Sequence, residues 1–263
     1  MTRVFIEGVG VLGPGLSGWQ QAREVLARRE PYHYAPTAVR ASELLPAAER
    51  RRAGVPVNLA LAVGREALLD AGRDPATTVA VFTSSSGDGE ILHRMCEALA
   101  TPEREVSPTS FLNSVHNVAG GYWSIATKCR ESSTSLCAHD ASFAAGLLET
   151  AAQASVEERA VALIAYDQPY LQPLHGARSV HDKFAVALLI TPDAGHARGM
   201  LEVRFVPRPG SETRMRDPRL ETLRASNPAA RSLPLLAALA GGESAEIALP
   251  YLEDSHLSIR VVP

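Results

Sequence analysis

Short apolar runs alternate along this chain with longer segments in which apolar residues recur every three to four positions. The runs at Val4–Glu7, Val79–Thr83, Ser133–Leu136, Val161–Tyr166 and Phe184–Thr191 predict strands, several continuous enough to be buried on both faces. Helical spacing over Trp19–Arg29, Asn58–Ala71, Glu90–Leu99, Ser114–Thr127 and Ser142–Gln153 predicts helices between them. That alternation is the pattern of a layered α/β domain. Gly72-Arg73-Asp74-Pro75 stops one helix with a glycine and a proline that cannot continue it. The arginine-rich stretch 207–226 reads as an exposed connector. A last helix over Ala229–Ala240 and strands at Ile247–Pro250 and Leu257–Val262 follow it.

Composition narrows the classes. A chain of 263 residues can bury a sizeable core. A net charge of −3 argues against a nucleic-acid footprint, and the only lysines are Lys128 and Lys183. No run reaches the roughly 18 apolar residues that would span a bilayer, and Met1 leads directly into a strand, so the expectation is a cytoplasmic protein. Cys96, Cys129 and Cys137 are unpaired by spacing and have no zinc-like neighbours, as expected in a reducing compartment.

Two glycine- and serine-rich motifs invite functional readings. Gly8-Val9-Gly10-Val11-Leu12-Gly13 follows a strand and satisfies G-x-G-x-x-G. A dinucleotide site needs the helix to begin within those glycines. Here Pro14-Gly15 intervene, and the helix is expected to start at Ser17, with its hydroxyl as the N-cap. The cluster Thr83-Ser84-Ser85-Ser86-Gly87-Asp88-Gly89 could be a nucleophile or an anion nest. It lacks the G-x-S-x-G elbow and is better read as a tight polar turn.

The segment Asn113–Glu149, NSVHNVAGGYWSIATKCRESSTSLCAHDASFAAGLLE, resembles the nucleophile region of β-ketoacyl synthases. In those condensing enzymes an Asn-x-x-Ala-Gly helix leads to a strand ending in Thr-Ala-Cys, and the Cys opens a helix of small residues. Laid on that pattern without gaps, Ala138 falls on the Ala and His139 on the Cys. The resemblance therefore implies a vestigial nucleophile position, because an imidazole there forms no acyl thioester. Cys137 and His116 remain as candidate reactive groups, Cys137 through a slipped alignment. For His139-Asp140 the alternative role is a helix-opening cap, and for His116 a structural hydrogen bond.

The resemblance runs from Arg3 to about Val206, through RVFIEGVGVLGPG, LPAAERRRAGVPVNLALAVGREALLDAG, VAVFTSSSGDG and DKFAVALLIT. It implies a thiolase-like half, a mixed, mostly parallel sheet flanked by helices, over residues 1–206. Residues 207–263 then form a short C-terminal extension packed on the same domain. The family's second half, with its His-Gly-Thr-Gly-Thr and Asn-x-x-x-Gly-His motifs, has no counterpart here. A half of this kind would leave helix faces and the edge of the Ser132–Leu136 strand uncovered.

The resemblance thus implies a subunit of the chain-length-factor type, as in polyketide, aryl polyene or fatty-acid-like biosynthesis. It would carry no cofactor, make no bonds alone, and pair with a complete ketosynthase supplied by an acyl carrier protein. Interface or tunnel candidates are Asn117, Ser133, Ser135 and Phe143. The rival readings are an acyltransferase using Cys137 and a scaffold that binds acyl carrier protein.

Overall fold

The computed structural model describes all of residues 1–263. The chain opens with β1 (Thr2–Gly13), β2 (Leu16–Ser17), α1 (Trp19–Leu26), α2 (Ala47–Arg52) and α3 (Val55–Asp70). Next come β3 (Val79–Thr83), α4 (Gly89–Ala100), α5 (Pro108–Asn113), α6 (Val118–Thr127), β4 (Ser133–Leu136) and α7 (Ser142–Val156). It continues with β5 (Val161–Asp167), α8 (Leu174–Ala177), β6 (Phe184–Thr191) and β7 (Gly199–Val206). It closes with α9 (Pro218–Ser226), α10 (Leu233–Gly241), β8 (Ala245–Pro250) and β9 (His256–Val262).

All nine strands join one sheet in the order β4-β3-β5-β6-β1-β7-β9-β8, with β2 folded back on β1. β3 is parallel to β4 and β5, and every other pairing is antiparallel, so the sheet is mixed as expected but mostly antiparallel rather than mostly parallel. The apolar runs of β3, β5 and β6 are buried along their whole length. Their side chains alternate between two helical layers, as the two-residue period of a strand requires. Val79, Val81, Leu163 and Val186 meet the layer that holds α1, α7 and α10, whereas Phe82, Ile164 and Ala187 meet α3 and α6.

The glycines of the G-x-G-x-x-G stretch have a packing explanation. β1 runs straight through it to Gly13. A Cβ on Gly8 would lie 2.0 Å from the Ala67 carbonyl oxygen, and one on Gly10 2.1 Å from that of Val63. Bare backbone there lets α3 lie directly on the strand. β7 pairs with β1 only as far as Ile6. Beyond that point carboxylates of α3 take the strand's free amides: Val9 N–H donates to Asp70 and Val11 N–H to Glu66. Glu66 also accepts the Trp19 amide, so α1 is capped by α3. The expected Ser17 cap is absent: the N-cap is Gly18, with φ 103° and no side-chain bond.

The C-terminal part departs furthest from the sequence reading. No strand was expected at 199–206, yet β7 forms there and carries the sheet onward to β9 and β8. Glu202 stands opposite both Arg3 and Arg260 in register and pairs with them at 3.1 and 3.7 Å, so its charge marks the strand's outer face. Residues 218–226 of the expected connector form α9, capped by Asp217, which accepts from the Arg219 and Leu220 amides. Leu220 and Leu223 are buried, and Arg224 is held by Glu212 and Glu221. Together with Leu233, Leu235 and Leu236 of α10 they join the core that contains α7. The helix faces expected to be bare on that side are therefore covered by the chain itself.

Candidate functional site

The four residues of β4 run alongside β3 and end in a strand-to-helix elbow. Cys137 and Ala138 follow the strand, His139 takes a left-handed backbone with φ 50°, and a turn over His139–Ala141 opens α7. Left-handed backbone at a non-glycine residue is held only where surrounding structure imposes it. Ser142 imposes it here, because its hydroxyl accepts from the Ala138 amide at 3.1 Å and donates to the His139 carbonyl at 2.7 Å. The small residues after it let α7 approach closely: a Cβ on Gly146 would meet Thr83 at 2.7 Å and Leu163 at 2.8 Å.

His139 occupies the strained position, and its side chain is 70% exposed. Asp140 does not cap α7. Its carboxylate takes Arg178 at 2.7 Å and Arg231 at 3.3 Å, with the His139 ring 3.6 Å away. Arg178 also donates to the Tyr170 hydroxyl at 3.1 Å. Arg231 comes from the turn before α10, so three distant segments of chain are tied at the elbow.

Cys137 is exposed, and its thiol donates to the Ser85 carbonyl at 3.3 Å. His116 sits in the turn between α5 and α6, with Nε2 3.0 Å from the Leu136 carbonyl. A carbonyl only accepts, so Nε2 carries the proton and the ring secures β4. Cys137 and His116 bond different carbonyls, those of Ser85 and Leu136, and no hydrogen bond links the two side chains.

Below the elbow lies a buried polar knot. Asp167 ends β5, and its Oδ1 accepts from the Ser85 amide (2.8 Å), the Ser85 hydroxyl (2.7 Å) and the Ser84 hydroxyl (3.1 Å). Its Oδ2 is buried with no partner. Desolvation outweighs those three bonds and pushes the carboxyl up to about 6. Ser84 also accepts from the Gly87 amide at 2.9 Å. Both hydroxyls are thus committed inward, and the serine cluster is the tight polar turn that its glycines suggest. A polar residue closing the apolar run VALIAYD is the signal that could have singled out Asp167. Nothing near Arg178 or Arg231 in sequence points to their meeting at Asp140.

The interface candidates separate. Ser133 is exposed, Ser135 half-buried, and both lie on the outermost strand. Asn117 is exposed and lines a surface cavity of about 550 Å³ with Leu112, Val115 and Ile125. Those three side chains are 69%, 46% and 46% exposed, so α5, α6 and the turn between them carry bare apolar groups. Phe143 must be corrected: it is fully enclosed in this chain's own core and offers no surface to a partner. No group of three or more His, Cys, Asp or Glu side chains is arranged to hold a metal ion. No helix is long and apolar enough to cross a membrane.

A mixed nine-stranded sheet between helical layers, with a left-handed elbow leading into a small-residue helix, defines the thiolase-like ketosynthase fold. A family model of the β-ketoacyl synthase N-terminal domain matches residues 18–249, and the chain belongs to that family. No curated protein matches it in sequence. Among solved structures, one similar chain occurs in a ketosynthase (ApeO) in complex with its chain length factor (ApeC) from Xenorhabdus doucetiae. It is 23% identical, has a TM-score of 0.74, and the match covers 99% of both chains. A chain of the ishigamide ketosynthase/chain length factor is 14% identical with a TM-score of 0.72, again over 99% of both. One from a type II polyketide synthase acyl-carrier protein in complex with its hexaketide-bound ketosynthase, AntDE:AntF, is 11% identical with a TM-score of 0.74 over 99% of both. At these identities the likeness establishes the fold.

Proposed function

We propose that this protein is a non-elongating subunit of the chain-length-factor type, which pairs with a complete β-ketoacyl synthase and shapes the end of its acyl tunnel. The observation that carries the reading is the elbow. Its backbone keeps the strained geometry that would present a nucleophile, while the side chain presented is His139, with no thiol and no catalytic partner. An elbow that cannot form a thioester leaves bond making to another subunit. The β4 edge supplies the means of pairing: Leu136 turns its carbonyl inward to the Ser84 amide. Alternation along a parallel strand then directs the N–H and C=O of Ser133 and Ser135 outward.

The exposed apolar side chains of Leu112, Val115 and Ile125, on α5, α6 and the turn between them, would be covered in such a heterodimer. In this reading the partner supplies the cysteine and both histidines, the acyl carrier protein delivers the extender units, and the complex works in polyketide or aryl polyene synthesis. Solved relatives that are themselves ketosynthase and chain length factor assemblies support it.

The test is native mass spectrometry after co-expression with the complete ketosynthase encoded nearest the gene. A stoichiometric heterodimer whose product lengths shift when Leu112 is changed to Ala is expected. A chain that ignores the ketosynthase removes the reading. Cys137→Ala abolishing acyl transfer by the complex would put an acyltransferase in its place.

A further inference from the structure

A second groove lies well away from the elbow, along the outer face of α3. Its volume is about 980 Å³, large enough for several residues of a peptide. Ala62 and Leu69 lie exposed on its floor, Leu69 at 59%. Trp19, Gln20 and Arg23 line it from the start of α1, and the segment from Arg40 to Leu44 forms the opposite wall.

The hydrogen-bonding capacity of this groove is one-sided. Of its three carboxylates, Glu66 is spent on the Val11 and Trp19 amides, and Asp70 on the Val9 amide and Arg198. Only Glu43 is left uncommitted. On the donor side Arg40 and Arg65 are exposed and make no ion pair or hydrogen bond, and Arg23 is loosely paired to Glu24 at 3.6 Å. The surplus is therefore of donors and positive charge, set over an apolar floor.

From this we infer that the α3 groove is a docking site for a short acidic segment of a partner protein, with apolar residues against Ala62 and Leu69 and carboxylates against Arg40 and Arg65. An inorganic anion would use the arginines and leave the apolar floor bare, and a neutral peptide would leave the donors unanswered. The site shares no residue with the β4 edge or the elbow and does not depend on the pairing proposed above.

The experiment uses the full chain and a fluorescein-labelled peptide of repeated glutamate pairs and leucine, read by anisotropy against its lysine-for-glutamate counterpart. Binding of the acidic peptide alone is expected, weakening with salt and by about tenfold or more in the Arg40→Glu, Arg65→Glu double variant. Both side chains are exposed, so circular dichroism and melting temperature should be unchanged. The same charge reversal at the end of β7 and just beyond it, Arg204→Glu with Arg208→Glu, should leave binding intact. The inference is overturned if the acidic peptide does not bind, if the groove variant binds it equally well, or if the β7 variant weakens it as much. Displacement by inorganic phosphate at matched concentration would show a simple anion site and also overturn it. So would self-association of the chain that the groove variant abolishes, because the occupant would then be a second copy.

Discussion

The two ends of the sheet are treated in opposite ways. At the β8 end a loop closes the edge: the Thr213 amide donates to the Ala248 carbonyl at 3.0 Å, and the Ala248 amide donates to the Thr213 hydroxyl at 2.9 Å. Glu246 stands exposed on the same strand, and Pro250 ends it. At the β4 end nothing closes the edge. Its side chains are short and uncharged apart from one leucine, and the neighbouring helices present bare Leu112, Val115 and Ile125. Open strand edges are aggregation hazards that proteins blunt with charge, proline or a covering loop. One edge is blunted by all three means and the other is left open, which is the asymmetry that the proposed pairing with a ketosynthase uses.

The strongest way to break this comparison is Ser135→Pro. It removes an outward N–H from the open edge at a place where proline costs the isolated chain little. Association with the ketosynthase should fall by about a hundredfold or more in native mass or ultracentrifugation, with the melting temperature of the chain nearly unchanged. Unimpaired pairing would show that the edge is not the interface.

Asp167→Asn probes the buried knot beneath the open edge. Because its folded value is about 6, above the ordinary 3.8, the carboxyl binds more protons in the folded chain than in the unfolded one between those pH values. Its contribution is complete below about pH 3.8 and is lost as pH rises through 6, an effect of up to about 3 kcal/mol. Denaturant titrations from pH 4 to 7 should show a fall in the parent that flattens in the variant.

Thr213→Ala tests the closed edge. Losing the hydroxyl that caps the Ala248 amide should cost about 1 kcal/mol in urea unfolding, with pairing to the ketosynthase unaltered. The smallest effect is expected for Arg231→Ala, since Asp140 is half exposed and keeps Arg178. Stability should change by less than about 1 kcal/mol. A larger loss would mean that the arginine tie holds the His139 backbone in place.

What was legible depended on how far apart in sequence the cause and the effect lie. β3 and β6 fall on their predicted residues because a strand buried on both faces needs an unbroken apolar run, and such runs are local. The elbow was legible from a family motif, and its missing thiol from a single position, His139. β7 was not, because charges on its outer face interrupt the apolar pattern and are satisfied only by Arg3 and Arg260 from other strands. α9 was hidden for the same reason: Arg224 looks solvent-bound until Glu212 and Glu221 enclose it.

By itself the sequence determined the layered α/β order, the strands of the central sheet and the histidine at the elbow, since apolar periodicity and residue identity are properties of neighbouring positions. Only the tertiary structure decided why Gly8 and Gly10 are glycines and that α9 and α10 join the core around α7. It also placed Phe143 in the core and left β4 as the open edge. Each of those outcomes depends on which distant segment comes within a few ångströms of another, and no local pattern specifies that.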